Sequence, residues 1–171
     1  QAMGTGQTPS NQVLVGLALF LTMMVMTPTL EASWTAGIGP YLNGEMDFRA
    51  AWTAATDPFR AFMLAQIREQ DLLTFAGLSG TGPYEGPGDI PLHVLAAAFL
   101  TSELKTAFEI AFLIYIPFVI IDLVVASVLM SMGMMMLPPV MISLPFKILP
   151  FILVDGWALV ITALVQSYSG G

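Results

Sequence analysis

The stretch that decides the fold is AFEIAFLIYIPFVIIDLVVASVLMSMGMMML, residues 107–137. Only Glu109, Pro117 and Asp122 interrupt its apolar character. A membrane-spanning helix needs about 20 predominantly apolar residues, so this stretch is too long for one simple span. We predict a bent or tilted helix, or a helix followed by an inserted hairpin. A kink is expected at Pro117, because proline has no backbone donor for the helix.

The composition of the whole chain agrees with a membrane protein. Of its 171 residues, 56% are hydrophobic and only 10% are charged, and the mean hydropathy is +0.79. A soluble domain carries about 25% charged residues, so this chain has too few charges to cover a globule in water. We therefore predict an all-α membrane protein of kinked and broken hydrophobic helices, or helical hairpins, with a small helical insertion.

Charge and residue usage exclude several classes of function. The net charge is −7 with five basic residues, which leaves no cationic surface for nucleic acid. The chain has no cysteine and a single histidine, His93, so it lacks the usual means of holding a metal or activating a nucleophile. No glycine-rich phosphate loop or nucleophile motif is present. We expect neither enzymatic activity nor a cofactor.

Two other apolar blocks flank the stretch 107–137. The first covers residues 13–30, and Pro28 is expected to end it. The last covers residues 140–165 and contains Pro145 and Pro150, which predict two half-segments instead of one span. The pair Pro138-Pro139 is expected to stop the middle block.

Residues 31–92 differ in kind, because most of the charged residues lie in or beside them. Asp57-Pro58 has the pattern of a helix start, with Asp57 as the cap and Pro58 at the first helical position. Gly77 is a candidate terminator, and a turn-rich loop follows it. We predict a small, water-facing helical insertion without a site of its own. The expected segments are therefore 1–30, 31–92, 93–137 and 138–171.

Ionisable side chains in apolar blocks are costly and are usually paired or functional. Two basic and four acidic groups are in this position, so they cannot all pair one to one: Glu103, Lys105, Glu109, Asp122, Lys147 and Asp155. We hypothesise that Glu103 pairs with Lys147, within the chain or between subunits, because each lies beside a helix breaker at the edge of an apolar block. Lys105, Asp122 and Asp155 are candidate supporting charges.

Two alternatives for these charges stay open. The side chains can reach the membrane interface as snorkelling groups. Asp122 and Asp155 can instead serve as coupling carboxylates of a proton-driven transporter, although the sequence has no inverted repeat.

The run MSMGMMM, residues 130–136, is the most unusual local feature. Methionine is unbranched and polarizable, so several methionines can fill an irregular space. Around an axis they would form a deformable hydrophobic constriction that blocks small solutes. The alternative is ordinary core filling, as for Met23, Met24 and Met26.

Five motifs in order resemble the FliP family of flagellar type III export-gate proteins, over essentially the whole chain. They are PSNQVLVGLALFLT (9–22), TSELKTAF (101–108), MGMMMLPP (132–139), SLPFK (143–147) and LVDGW (153–157). The resemblance implies a pore-forming, non-enzymatic subunit that forms a pentamer and assembles with FliQ, FliR and other export-apparatus membrane proteins. Unfolded flagellar proteins would pass through the pore, in the inner membrane at the flagellar basal body.

The resemblance also assigns roles to residues. Met134, Met135 and Met136 match the methionine gasket that seals the channel, and Glu103 and Lys147 match charged positions of the family. Residues 31–92 correspond to its periplasmic segment. The injectisome counterpart of the family is the nearest alternative, and PFRAFM (58–63) favours the flagellar branch.

Two departures from the family pattern accompany the resemblance. A signal peptide and a further hydrophobic segment are expected upstream of Gln1. Pro150 stands where an apolar helix former is usual, so the local geometry between Lys147 and the LVDGW motif is expected to differ.

Overall fold

The computed structural model describes residues 3, 4, 6, 9–133 and 136–169, with residues 140 and 169 described by their backbone alone. Within these ranges the chain is helical and contains no strand, which confirms the all-α prediction. In the part of the chain that the structure describes, two helices are long and apolar enough to cross a membrane, Asn11–Leu42 and Leu92–Ser131. A bent pair, Met141–Leu153 with Gly156–Tyr168, adds a third span if it is taken as one unit.

The first apolar helix does not end at Pro28. Helix α1 (Asn11–Ser33) passes through that proline and continues as a π-helical turn, Trp34–Ile38, into the short α2 (Gly39–Leu42). The prediction of an end at Pro28 was wrong, because proline removes one donor while its fixed φ suits a helix. In a long apolar helix the bonds on either side keep the segment helical.

The helices of the middle segment also begin and end elsewhere than predicted. Helix α3 (Phe48–Gln66) is capped by Asp47, whose Oδ1 accepts from the Ala50 amide at 3.0 Å. Asp57-Pro58 therefore lies inside α3, and the prediction that a helix starts there was wrong. Helix α4 (Glu69–Ser79) follows, and it ends at Gly80 with a left-handed φ of 64° instead of at Gly77.

Helix α5 (Leu92–Ser131) is one continuous element of 40 residues with Pro117 inside it. At about 1.5 Å per residue it is about 60 Å long, twice the hydrocarbon core of a bilayer. The expectation of a segment longer than one span is confirmed. Pro138-Pro139 does not end it: Pro139 begins α6 (Pro139–Leu153) and Pro138 is its N-terminal cap residue.

Helix α7 (Gly156–Ser169) follows α6 after a break at residues 154 and 155. The two helices are bent by 63° from each other, which confirms the prediction of two half-segments. Pro145 and Pro150 both lie within α6 and do not interrupt it.

The chain forms two compact units. Unit 1 comprises Gln1–Leu19 and Ala107–Ser167, and unit 2 comprises Phe20–Thr106 and Tyr168–Gly171. The apolar core of unit 2 centres on Ile90, Val94 and Leu95, against which side chains of α3 and α4 pack. In unit 1 most large apolar side chains are exposed, and Lys147 and Ser143 are among the few buried residues.

Candidate functional site

Unit 1 contains an ion pair between two apolar helices. Lys147 Nζ of α6 lies 2.7 Å from Asp122 Oδ2 of α5, and the Ser143 hydroxyl donates to the other carboxylate oxygen. Ser143 and Lys147 are four residues apart, so one face of α6 presents both groups to the same carboxylate. Asp122, Ser143 and Lys147 all lie in apolar blocks of the sequence, and the packing of α5 against α6 brings them into contact.

The burial of this pair is uneven. The Lys147 side chain is 0% exposed, whereas that of Asp122 is 26% exposed. The backbone of Gly4 also approaches the ammonium, since a Cβ on Gly4 would lie 3.0 Å from Nζ. Burying an ammonium is costly unless a counter-charge and a hydrogen bond accompany it, and Asp122 supplies both to Lys147.

An apolar groove of about 510 Å³ lies beside the ion pair, between the second half of α5 and α6. Side chains such as Ile121, Val125 and Phe146 line it, and every lining residue is apolar. The groove has no group that could bind a polar solute.

The break between α6 and α7 depends on two neighbouring residues of the LVDGW motif. Asp155 has a left-handed φ of 50°, and its side chain is exposed. Gly156 is buried under the ring of Phe151, where an added Cβ would lie 2.4 Å from ring carbons. That ring in turn meets Trp157 edge-on at 5.4 Å. Asp155 therefore supplies the left-handed backbone conformation at the bend.

Unit 2 contains a second polar cluster, where α4 meets the first part of α5. The buried Asp71 carboxylate accepts from Lys105 and, at 2.7 Å, from the Ser102 hydroxyl. Ser102 also accepts from the Arg68 amide at 3.0 Å. The hydrogen bond from Lys105 is the main reason that the pKa of Asp71 lies below its usual range, and Ser102 adds to the effect. These bonds fix the start of α4 to α5.

Glu103 and Lys147, which the sequence suggested as a pair, each have a partner in their own unit. Glu103 accepts a hydrogen bond from the Tyr168 hydroxyl, and the Tyr168 ring stacks on Phe62 at 6.1 Å. Lys147 bonds Asp122 instead. A Glu103–Lys147 pair between subunits stays a prediction.

Of the three candidate gasket residues, Met134 and Met135 lie outside the described residues. Met136 is in the turn between α5 and α6, and its side chain is 98% exposed. Gly133, which precedes Met136 by three residues, has a φ of 75°.

Comparison with known proteins identifies the family. The model of the FliP family matches residues 1–164. This chain belongs to the FliP family. Among its FliP relatives, the flagellar biosynthetic protein FliP of Caulobacter vibrioides is 55% identical over 170 residues, which cover 99% of the chain and 64% of that protein.

Two further FliP proteins show how much of the relatives this chain represents. The flagellar biosynthetic protein FliP of Cereibacter sphaeroides is 52% identical over 99% of the chain and 56% of its own length. The FliP of Bacillus subtilis is 52% identical over 98% of the chain and 76% of its own length. The chain thus spans somewhat more than half the length of the first two.

Sequence reasoning missed three residues that shape this FliP-family chain: Asp71, Ser102 and Ser143. Each is a small polar residue whose role depends on a partner more than 20 positions away. The sequence does contain one signal for Ser143: it lies four residues before Lys147, on the same helical face. This spacing indicates that the two side chains share a partner, but it does not identify Asp122.

Proposed function

We propose that this chain is a core, non-enzymatic subunit of the flagellar type III protein export gate in the bacterial inner membrane. A pentamer of the chain would surround a channel together with FliQ and FliR, and unfolded flagellar proteins would pass through it. The observation that carries the proposal is the match of residues 1–164 to the FliP family, whose relatives are named flagellar biosynthetic proteins.

The surface of the helices supports an assembled state. Phe108, Phe112 and Leu113 on α5 are all largely exposed, as are Leu19 and Phe20 on α1. Neither candidate span is more than 6% buried over its apolar window. Such surfaces are stable only against lipid or other apolar protein, so neighbouring subunits and lipid would cover them.

The turn between α5 and α6 supports a gasket. The Met136 side chain is 98% exposed, so it packs against almost nothing within the chain. Ordinary core filling therefore does not explain it. In a ring of copies, the methionines at 134–136 would form a flexible apolar constriction that excludes small solutes by dewetting.

The test is a leak measurement on assembled gates. Met134→Ala, Met135→Ala and Met136→Ala together should raise the passage of small solutes across the membrane while the complex still assembles. The matched control replaces Met23, Met24 and Met26 of α1 by alanine, which removes the same atoms elsewhere. An unchanged leak in assembled gates would remove the gasket from the proposal.

The Glu103–Lys147 pair between neighbouring copies belongs to the same proposal. Each residue has a partner within its own chain, Tyr168 or Asp122, so assembly would exchange one bond for another. Reversing both charges should restore the assembly that either single reversal removes. If the double variant assembles no better than the single ones, the pairing is wrong.

The transporter alternative gains no support from the geometry of its two carboxylates. Asp122 is held by Lys147 and Ser143, while Asp155 is exposed at a helix break. The relatives are named flagellar biosynthetic proteins, which favours the flagellar export gate over the injectisome alternative.

A further inference from the structure

Three aromatic rings form an exposed ladder where α2 turns into α3. Tyr41 meets Phe48 edge-on at 6.0 Å, and Phe48 stacks on Trp52 at 6.3 Å. Their side chains are 45%, 64% and 58% exposed, respectively. We call these three residues the aromatic ladder. Exposed tyrosine and tryptophan rings of this kind are typical of the centres of protein interfaces.

The backbone beneath the ladder is held rigidly. Gly37, in the π-helical turn, packs so closely on α3 that a Cβ there would lie 2.5 Å from the Ala51 carbonyl oxygen and 2.5 Å from the Ala55 nitrogen. Ala51 faces this contact, while Phe48 and Trp52, one turn apart on α3, face outward. The rings are therefore presented in a fixed arrangement, which lowers the entropy lost when a partner binds.

The edge of the ladder is acidic. Glu45 and Asp47 are both exposed in the short turn that joins Tyr41 to Phe48, with Arg49 as the neighbouring basic residue. The chain as a whole carries a net charge of −7. An acidic edge disfavours the anionic headgroups of a membrane surface and favours a partner with basic residues.

A second copy of this chain has little basic charge to offer. Four of its five basic side chains already donate to their own chain: Arg60 to the Ile90 carbonyl, Arg68 to Thr106, Lys105 to Asp71 and Lys147 to Asp122. The fifth, Arg49, lies at the ladder itself, so two copies meeting through this face would bring Glu45 and Asp47 of each copy against only one Arg49 of each. The net like charge disfavours self-association through this face.

We propose that the aromatic ladder is a docking site for a foreign protein segment, an amphipathic helix with an apolar face flanked by lysine or arginine. The rings would take the apolar face, and Glu45 and Asp47 would meet its basic flank. The site is independent of the channel proposed above, because it uses neither the methionines nor the Glu103–Lys147 pair.

The test uses the full chain in nanodiscs of zwitterionic lipid and two labelled helical peptides of about 18 residues, long enough to fold. Both have the same leucine and phenylalanine face, flanked by lysine in one and by glutamate in the other. The lysine peptide should bind about tenfold more tightly, and added salt should reduce the difference. Equal binding of the two peptides would overturn the proposal.

Variants locate the binding on the ladder. Trp52→Ser should weaken the lysine peptide about tenfold, whereas Leu78→Ser, which removes an exposed apolar side chain of α4, should leave its binding unchanged. Glu45→Lys should abolish most of the preference for lysine, and Glu85→Lys, at an exposed loop position, should not. If Trp52→Ser and Leu78→Ser behave alike, the ladder is not the site.

Two further outcomes would identify a different occupant and so contradict the proposal. Quenching of Trp52 fluorescence by brominated lipid, unaffected by saturating lysine peptide, would mean that the bilayer covers the ladder. Self-association of the chain that Trp52→Ser removes would mean that a second copy covers it.

Discussion

Lys147 and Asp122 form an ion pair of 2.7 Å between two helices whose other facing residues are almost all apolar. The cation is completely buried and the anion is not. Because of this asymmetry, the removal of Asp122 and the removal of Lys147 should reduce the free energy of unfolding by different amounts.

Removal of the anion should therefore be the more damaging change. Asp122→Asn leaves a buried ammonium without a counter-charge, and we expect a loss of about 3–5 kcal/mol in the free energy of unfolding. Lys147→Met leaves a partly hydrated carboxylate and should cost less. Thermal unfolding in detergent, with the exposed Asp155→Asn as the control, measures the order. A larger loss for Lys147→Met would contradict this reasoning.

The close approach at Gly37 makes a second prediction. Gly37→Ala places a Cβ 2.5 Å from backbone atoms of α3, which cannot yield as a side chain would. We expect a destabilisation of about 1–3 kcal/mol. Gly77→Ala in α4 is the matched control, because nothing lies within 4 Å of its Cβ position. There alanine should raise the stability by up to about 1 kcal/mol, since it favours the helix. Equal effects at the two sites would argue against the tight contact.

The conformation of Asp155 separates a backbone role from a chemical one. Asp155→Val should destabilise the chain by about 1–2 kcal/mol, because a β-branched residue is strained at a φ of 50°. Asp155→Gly should be at least as stable as the wild type and should keep protein export intact, as measured by flagellar assembly in cells. A coupling carboxylate would behave in the opposite way, with glycine abolishing function.

The carboxylate of Asp71 predicts a dependence on pH. Its folded-state pKa is lowered by Lys105 and Ser102, so its contribution to stability is complete above the unfolded value of about 3.9. That contribution is lost as the pH falls through the lower folded value. Asp71→Asn should therefore destabilise the docking of α4 at pH 7, and the difference from the wild type should shrink in strong acid.

Hydrogen exchange of the amides at the start of α4 measures this effect at each pH. Asp57→Asn, an exposed position on α3, serves as the control. A difference between wild type and Asp71→Asn that stays constant from pH 7 down to strong acid would show that the carboxylate charge is not what fixes α4.

The general character of the fold was predictable from the sequence, whereas the role of its prolines was not. The apolar blocks gave the long helices, and Pro145 with Pro150 correctly suggested a divided last block, although the break itself lies at Val154-Asp155. Pro28 and Pro58 stand inside helices because the sequence shows the missing donor but not the neighbouring bonds that keep the segment helical.

The partners of the charged residues were beyond sequence reasoning for a geometric reason. The partner of Lys147 depends on the register of α5 against α6, and the partner of Asp71 depends on how α4 lies on α5. A shift of one helical turn in either case would bring other residues opposite. Composition showed that the buried charges needed partners, and only the packing could select them.

The order of Asp122 and Lys147 along the chain has a consequence for how the protein enters the membrane. Asp122 emerges from the ribosome 25 residues before Lys147. A carboxylate near the centre of an apolar helix costs about 2.5–3.5 kcal/mol to insert when it has no counter-charge. Lys147 offsets part of this cost once α6 arrives, which favours the release of these two helices from the translocon together, as a hairpin.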